Sequence, residues 1–183
     1  VLGKPKGPTS ADCLNDIKFQ LGQRKIGHAG TLDPMATGVL VVVLGEATKL
    51  AGYLTEGQKT YTGRLRIGQN TDTFDAEGRV TSEAAWEHLS PETVEEAVRS
   101  WTEMTTQEIP PYSAVKVNGQ PLYKKARRGE DVPVVVKPIK VFEAEATLTE
   151  LPHVNFRVRV SCGAYVRSLV HSLGKRLGCG AHL

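Results

Sequence analysis

One short segment carries the residue types that a catalytic site needs. Residues 27–38, GHAGTLDPMATG, contain three glycines, one proline and a single carboxylate, Asp33. Glycine lets the backbone approach a ligand closely, and Pro34 restricts Asp33 to extended conformations. Such a loop can present a carboxylate as a nucleophile or as a general acid or base. The same residues also suit an ordinary Asp-Pro turn, and residue chemistry alone favours the turn.

The hydrophobic pattern places this segment between a helix and a strand. Apolar residues three and four apart predict a helix over Ser10–Leu21, with Ser10 as its cap. A glycine-rich loop then covers Gly22–Gly38. The continuous apolar run Val39–Leu44 predicts a buried strand.

Helices further along the chain are indicated by capping residues and by apolar spacing. Ser90-Pro91 opens one helix, whose apolar stripe is Val94, Ala97, Val98 and Trp101. A short basic helix spans Leu122–Arg128. A last helix begins after Gly163 and ends at Gly178.

Strands are indicated where apolar and polar residues alternate. Lys59–Gly68 alternates, with Tyr61 and Leu65 on one side, and 154–162 alternates most regularly. Tyr112–Val117 is predicted as a strand that ends in an Asn118-Gly119 turn, and the polar run Gln69–Arg79 as a loop. Because helices and strands mix without a βαβ rhythm, the pattern predicts an α+β fold with a mixed, mostly antiparallel sheet and flanking helices.

Composition excludes several classes of protein. The chain has 183 residues, 40% hydrophobic, with a net charge of +3, which favours a globular domain over a disordered or fibrous chain. No apolar run approaches the roughly 18 residues of a membrane span. The three cysteines form no C-x-x-C pair, and Cys162 is expected to be a buried thiol. The histidines lack ligand spacing, so no metal is expected. The first and last residues suggest a fragment of a longer cytosolic protein.

Eight segments, in order along nearly the whole chain, resemble the motifs of TruB-type pseudouridine synthases. The match centres on residues 27–38 and the following LGEATK of residues 44–49. The other matching segments are KPKG (4–7), KTY (59–61), GQNTDT (68–73), IPPYSAVK (109–116), GAYVR (163–167) and LGCGAH (177–182).

The resemblance implies a pseudouridine synthase fold and an RNA isomerase. Members of the family convert the uridine at position 55, in the TΨC loop of tRNA, to pseudouridine. The implied partner is the TΨC stem-loop of tRNA, with no cofactor, no metal, no membrane and no obligate protein partner, in the cytoplasm. Residues 1–183 would form the catalytic domain, without the end of that domain and the small C-terminal RNA-binding domain of the family.

The resemblance also assigns roles to five residues. Asp33 matches the catalytic aspartate, and Arg167 matches the arginine that pairs with it. Tyr61 matches a tyrosine that stacks on the uracil near its C5 proton, and Tyr165 a second tyrosine of the pocket. His28 matches a histidine that contacts the RNA where the base has left the stack.

Each of these residues also has an ordinary structural interpretation. A tyrosine in a strand is more often a core residue, an arginine on a helix is usually exposed, and a lone loop histidine usually belongs to a turn. Asp72, Asp75 and Glu77 do not fit an EF-hand, and they predict either a polar rim of the active site or a plain turn.

Basic residues are the candidate contacts to RNA phosphates. Four of them crowd the predicted short helix, where a solvated helix face is the alternative, and others surround the Asp33 loop. The predicted contacts are Lys4, Lys18, Arg24, Lys25, Lys124, Lys125, Arg127 and Arg128.

The same residues are compatible with two other functions. One is the catalytic subunit of a guide-RNA-dependent pseudouridine synthase, which shares the Asp33 loop. The other is a non-catalytic module that binds or folds tRNA. Modification of naked tRNA without a guide RNA would distinguish a tRNA pseudouridine synthase from the guide-dependent subunit. The presence of Asp33, Tyr61 and Arg167 together argues against a non-catalytic module.

Overall fold

The computed structural model describes residues 1–183, which form two compact units, Val1–Gly57 and Gln58–Leu183. Helices occur in both units, and every strand pair is antiparallel. The predicted α+β class is therefore confirmed. No helix is long and apolar enough to cross a membrane.

The first unit contains two small sheets, β1–β3 and β2–β4. Its elements are β1 (Leu2–Lys4), α1 (Ser10–Leu21), β2 (Ile26–His28), β3 (Gly38–Leu40), β4 (Val42–Leu44), a 3₁₀ helix (Gly45–Leu50) and α2 (Ala51–Thr55).

Helix α1 has the predicted bounds but a different cap. The cap is Thr9, whose side chain accepts a hydrogen bond from the backbone N–H of Asp12, while Asp12 accepts from the backbone N–H of Thr9. This reciprocal pair satisfies two backbone donors that a helix start leaves open. Ser10 therefore does not cap the helix. Its hydroxyl bonds to the backbone of Leu32, which ties the helix to the Asp33 loop.

The predicted buried strand Val39–Leu44 is wrong. It is divided into β3 and β4, which pair with β1 and β2 respectively. One residue of each short strand is buried, Leu40 in β3 and Val43 in β4, whereas Val39 is 71% exposed. The predicted loop Gly22–Gly38 also contains a strand, β2.

The second unit is built on a four-stranded sheet in the order β12-β13-β5-β14, with three smaller sheets. Its strands are β5 (Lys59–Ile67), β6 (Gln69–Thr71), β7 (Val80–Glu83), β8 (Thr106–Glu108), β9 (Lys116–Val117), β10 (Gln120–Pro121), β11 (Val136–Pro138), β12 (Val141–Glu150), β13 (His153–Val160) and β14 (Ala181–His182). Its helices are α3 (Pro91–Arg99), a 3₁₀ helix (Ser100–Glu103), α4 (Leu122–Arg127) and α5 (Val166–Leu177).

One face of the large sheet forms the core of this unit. Alternate residues of β5 and β13, including Leu65 and Phe156, are buried with residues of α3 and α5. The Trp101 ring meets the Phe156 ring edge-on at 5.1 Å. Gly63 lies opposite Phe156, and a Cβ there would come within 2.7 Å of that ring, so glycine makes room for it.

Several predictions for this unit hold and several do not. Helices α3 and α5 form as predicted, with Ser90 and Gly178 at their ends. The strand Tyr112–Val117 is reduced to β9, although the Asn118-Gly119 turn is present with positive φ at both residues. The predicted loop Gln69–Arg79 begins with β6, and the long strand β12 was not predicted. Cys162 lies beyond the end of β13 and is only half-buried, so its predicted burial is wrong.

Candidate active site

Backbone hydrogen bonds in the first unit fix the conformation of the loop around Asp33. The Ala36 N–H donates to the Asp33 carbonyl at 3.0 Å, which closes a turn around Pro34. On the other side, the Ser10 hydroxyl donates to the Leu32 carbonyl and accepts from the Leu32 N–H, both at 3.0 Å. The Asp-Pro turn is therefore formed, and the same turn presents the half-buried Asp33 side chain.

Lys4 supports this loop from inside the unit. The residue is 2% exposed, and its ammonium group donates to the carbonyls of Pro5, Pro34 and Ala36 at 2.9, 3.1 and 2.8 Å. An ammonium group has three hydrogens, and these three acceptors use them all. The prediction that Lys4 contacts an RNA phosphate is therefore wrong, because its charge is buried under the loop.

Replacing Lys4 by methionine is expected to lower the free energy of unfolding by about 1–3 kcal/mol, because it removes donors from buried loop carbonyls. Urea denaturation measures the change. The exposed Lys6 provides the control, and Lys6→Met is expected to shift the midpoint by less than about 0.5 kcal/mol. Equal effects of the two substitutions would contradict the assigned role of Lys4.

His28 lies on β2, opposite Val42. Its Nδ1 is in hydrogen-bond contact with the carbonyl of Gly30. Because a carbonyl only accepts, this contact requires a proton on Nδ1. The ring is thereby held against the backbone of the Asp33 loop, and its predicted contact with RNA stays a prediction.

Tyr61 and Tyr165 belong to the second unit. Tyr61 is half-buried on β5, opposite Val158, and packs against the core. Tyr165 immediately precedes α5. Its backbone N–H donates to Gln107 at 2.7 Å, and its carbonyl accepts from Gln107 at 3.1 Å. The Lys137 amine lies 5.2 Å from the centre of the Tyr165 ring, and partial burial lowers the pKa of that lysine.

Arg167 is buried near the start of α5, with 5% of its surface exposed. Its guanidinium donates to the carbonyls of Thr73 and Tyr112 at 2.9 and 3.3 Å, and Nη1 lies 3.4 Å from Oδ2 of Asp75. The alternative of an exposed helix charge is therefore wrong. The planar guanidinium fork suits such simultaneous contacts, because its donors diverge in fixed directions.

Asp75 is one of the three acidic residues for which the sequence predicted a polar rim or a turn, but its pairing with Arg167 was not predicted. It is 5% exposed, and its Oδ1 accepts from the Thr73 hydroxyl at 2.6 Å and from the Glu77 N–H at 3.1 Å. The turn interpretation of this acidic segment is confirmed, because Asp75 accepts hydrogen bonds within it, whereas the rim of an active site stays a prediction. The only sequence signal is the hydroxyl-rich run TDTFD, which is typical of side chains bonding to a nearby backbone.

Phe74, inside the same turn, has a positive φ of 66°. Its ring stacks on His171 of α5, with ring centres 3.7 Å apart. Burial, together with the charge of Lys175, lowers the pKa of His171 to about 4. The histidine is therefore neutral near pH 7, and the stack fixes the turn against the helix.

The other basic residues differ in their availability. Lys18, Arg24, Lys124 and Arg127 are exposed and Lys125 is half-buried, whereas Lys25 pairs with Glu46 and Arg128 pairs with Glu130. Arg127 also lies over the Tyr123 ring at 5.4 Å. No group of three or more His, Cys, Asp or Glu side chains is arranged to hold a metal ion.

Comparison with known proteins identifies relatives along the whole chain. The model of the TruB family pseudouridylate synthase N-terminal domain matches residues 18–166. The protein named tRNA pseudouridine synthase B of Nitratidesulfovibrio vulgaris is 57% identical over 184 residues, covering 100% of this chain and 60% of that protein. Its namesake in Geobacter sulfurreducens is 46% identical over 183 residues, again with 100% and 60% coverage. The chain thus spans about 60% of the length of these relatives.

Solved structures show the same fold. A Cbf5-Nop10-Gar1 complex contains a chain that matches 98% of this one with a TM-score of 0.72 and 30% identity, over 44% of its own length. An H/ACA RNP bound to a substrate RNA containing 2′-deoxyuridine matches 98% of this chain and 43% of its own, with a TM-score of 0.66 and 28% identity.

Proposed function

Because this chain belongs to the TruB family of pseudouridylate synthases, we propose that the protein containing it converts a uridine of the tRNA TΨC loop to pseudouridine. The observation that carries the proposal is the 57% identity to a tRNA pseudouridine synthase B over all of this chain. That similarity extends through the Asp33 loop and the segments that hold Tyr61 and Arg167.

The proposed reaction is an isomerisation. The bond between N1 of uracil and C1′ of ribose breaks, the base turns over, and a bond forms between C5 and C1′. The C5 proton leaves and N1 regains a proton, so no oxidant, reductant or cofactor is consumed. The target nucleotide must leave the RNA stack before C1′ can be reached, which is the general solution for enzymes that act on a base.

We assign the reacting carboxylate to Asp33. It acts either by attack on the sugar or base or by removal of the ribose 2′ proton. The turn closed by Ala36 and the buried Lys4 amine support the assignment, since they hold the backbone on both sides of the carboxylate. A fixed backbone limits the reorganisation that the reaction requires.

Tyr61, Tyr165, Arg167 and His28 are the proposed substrate-binding residues. Tyr61 offers an aromatic face for stacking on uracil, and the Gln107 contacts fix the backbone of Tyr165. The pairing of Arg167 with Asp33 joins residues of different units and stays a prediction. The exposed residues Lys18, Arg24, Lys124 and Arg127 are the proposed phosphate contacts, through which binding should weaken as salt rises.

The decisive test uses an unmodified tRNA transcript and the full-length protein, with no guide RNA and no other protein. Pseudouridine is expected in the TΨC loop, detected by release of tritium from C5 of labelled uridine. Turnover only on addition of a guide RNA would favour the guide-dependent alternative, since the matched structures include H/ACA complexes. Binding without any turnover would favour the non-catalytic module.

Replacing Tyr61 by phenylalanine keeps the ring and removes only the hydroxyl. Turnover is expected to fall about 100-fold, the usual effect of removing a positioned proton-transfer group, while the dissociation constant for tRNA changes little. Single-turnover rates and filter binding measure the two quantities. Tyr53→Phe, at an exposed tyrosine, is the matched control. Full activity of Tyr61→Phe would restrict Tyr61 to stacking.

A further inference from the structure

The sheet of the second unit has a polar face opposite its apolar core. On β5, Arg64 and Arg66 alternate with the buried Leu65 and Ile67. Successive residues of a strand point to opposite faces, so both arginines lie on the outer face. Tyr61 lies on the same side of β5 as the buried Leu65 and Ile67. The outer face is therefore separate from Tyr61, the proposed uracil-binding residue.

The strand register assembles the outer face into rows. One row crosses all four strands, because Glu150 lies opposite His153, His153 opposite Arg66, and Arg66 opposite His182. In the neighbouring row Asn155 lies opposite Arg64. Arg66 thus has a histidine directly opposite it on each neighbouring strand.

Other arginines of the same face are compensated. Arg159 forms an ion pair with Glu143, and Arg157 lies 3.4 Å from Glu143 and 3.8 Å from Glu145. Arg64 and Arg66 form no ion pair with any carboxylate of the chain. Moreover, Nε of Arg66 is buried and has no hydrogen-bond partner. An unsatisfied buried donor costs free energy, and no acceptor of the chain offsets this cost at Arg66.

Beside Arg64 lies a hollow of about 70 Å³, lined by Arg64, Leu148, Glu150, His153 and Asn155, and Arg66 lies opposite His153 on the neighbouring strand. We propose that Arg64, Arg66, His153 and Asn155 form a binding site for a phosphate oxyanion. Arginine binds phosphate through paired N–H donors, and the amide of Asn155 supplies a further donor. Glu150 is the one carboxylate at the site, and it weakens the binding.

The pKa of His153 provides an independent measure of phosphate binding. The pKa of His153 is lowered by burial and then by the charges of Arg64, Arg66 and His182, while Glu150 opposes the shift. A bound phosphate adds negative charge beside the ring and therefore raises the pKa of His153. The shift is visible in an NMR titration of the histidine protons.

The test titrates inorganic phosphate into the full-length protein at low ionic strength, followed by calorimetry and by the His153 signals. Saturable binding is expected, with an upward shift of the His153 pKa. Arg66→Gln is expected to weaken the affinity at least about tenfold, since a charge-assisted donor pair is lost. Arg99→Gln removes an exposed cation on α3 and is expected to leave the affinity within about twofold.

Glu150→Gln guards against a variant that merely fails to fold. It removes the opposing carboxylate and is expected to strengthen phosphate binding about threefold to tenfold, a gain that misfolding cannot produce. Non-saturable binding in the unsubstituted protein would overturn the proposal. So would an affinity that is the same in Arg66→Gln, Glu150→Gln and the unsubstituted protein.

A second arm identifies the source of the phosphate. Binding of tRNA is compared between the Arg64→Gln/Arg66→Gln double variant and the unsubstituted protein over a range of salt concentrations. If the RNA backbone supplies the phosphate, the slope of log K against log salt falls by about 2. If free phosphate is the ligand, the slope is unchanged while the double variant still loses phosphate binding. Both measurements, phosphate binding and the salt dependence of tRNA binding, can be made even if the protein forms no pseudouridine. The phosphate site and the proposed function are therefore tested separately.

Discussion

Asparagine at position 33 is expected to lower the rate of pseudouridine formation by at least about a thousandfold, because the reacting carboxylate becomes a neutral amide. The backbone turn should survive, since the Ala36 N–H donates to the main-chain carbonyl of residue 33 and not to its side chain. The dissociation constant for tRNA is therefore expected to stay within about threefold, because phosphate contacts dominate affinity.

Single-turnover kinetics with saturating protein measure the rate, and filter binding measures the affinity. Asp16→Asn, at an exposed aspartate on α1 of the same unit, changes the charge equally and should leave the rate within about twofold. Normal turnover in Asp33→Asn would falsify the assignment of the catalytic residue. An equal loss of binding and turnover would instead indicate that Asp33 holds the fold of the loop.

Asp75→Asn is expected to give the largest loss of stability, about 2–4 kcal/mol in the free energy of unfolding. Both Asp75 and Arg167 are 5% exposed, and the substitution places an amide where Oδ2 faces the guanidinium at 3.4 Å. Loss of the charge weakens the hold on Arg167, so turnover should also fall. Urea denaturation and single-turnover rates measure the two effects.

Asp72→Asn is the matched control. Asp72 is three residues away in the same turn and pairs with Arg79, whose side chain is exposed, so its loss should cost less than about 1 kcal/mol. A double-mutant cycle with Arg167→Met then isolates the coupling between the pair. Additive effects of Asp75→Asn and Arg167→Met would show that the two side chains do not interact energetically.

Local signals predicted the elements that depend on local physics. The Ser90-Pro91 start of α3, the Gly178 end of α5 and the alternation of β13 each specify a backbone conformation within a few residues. Strand β12 escaped prediction because its inward residues include the small Ala144 and Ala146, which give little hydrophobic contrast. Its pairing with β13 supplies the stabilisation that its own composition lacks.

The division of Val39–Leu44 into two strands shows the limit of a composition argument. A run of six apolar residues is equally compatible with one buried strand or with two short strands. The choice depends on which strands lie alongside, β1 for one part and β2 for the other. That information lies elsewhere in the chain.

In the candidate site, too, some features were predicted from the sequence and others appeared only in the tertiary structure. The order and spacing of its motifs predicted the family, which the matching relatives confirm. The same motifs, each contiguous in the chain, predicted Asp33 as the reacting carboxylate, and that role stays a prediction. Only the tertiary structure showed that Lys4 is buried beneath that loop and that Arg167 meets Thr73, 94 residues earlier, together with Asp75. A charged residue type does not specify its partner, because burial and pairing arise from segments that folding brings together.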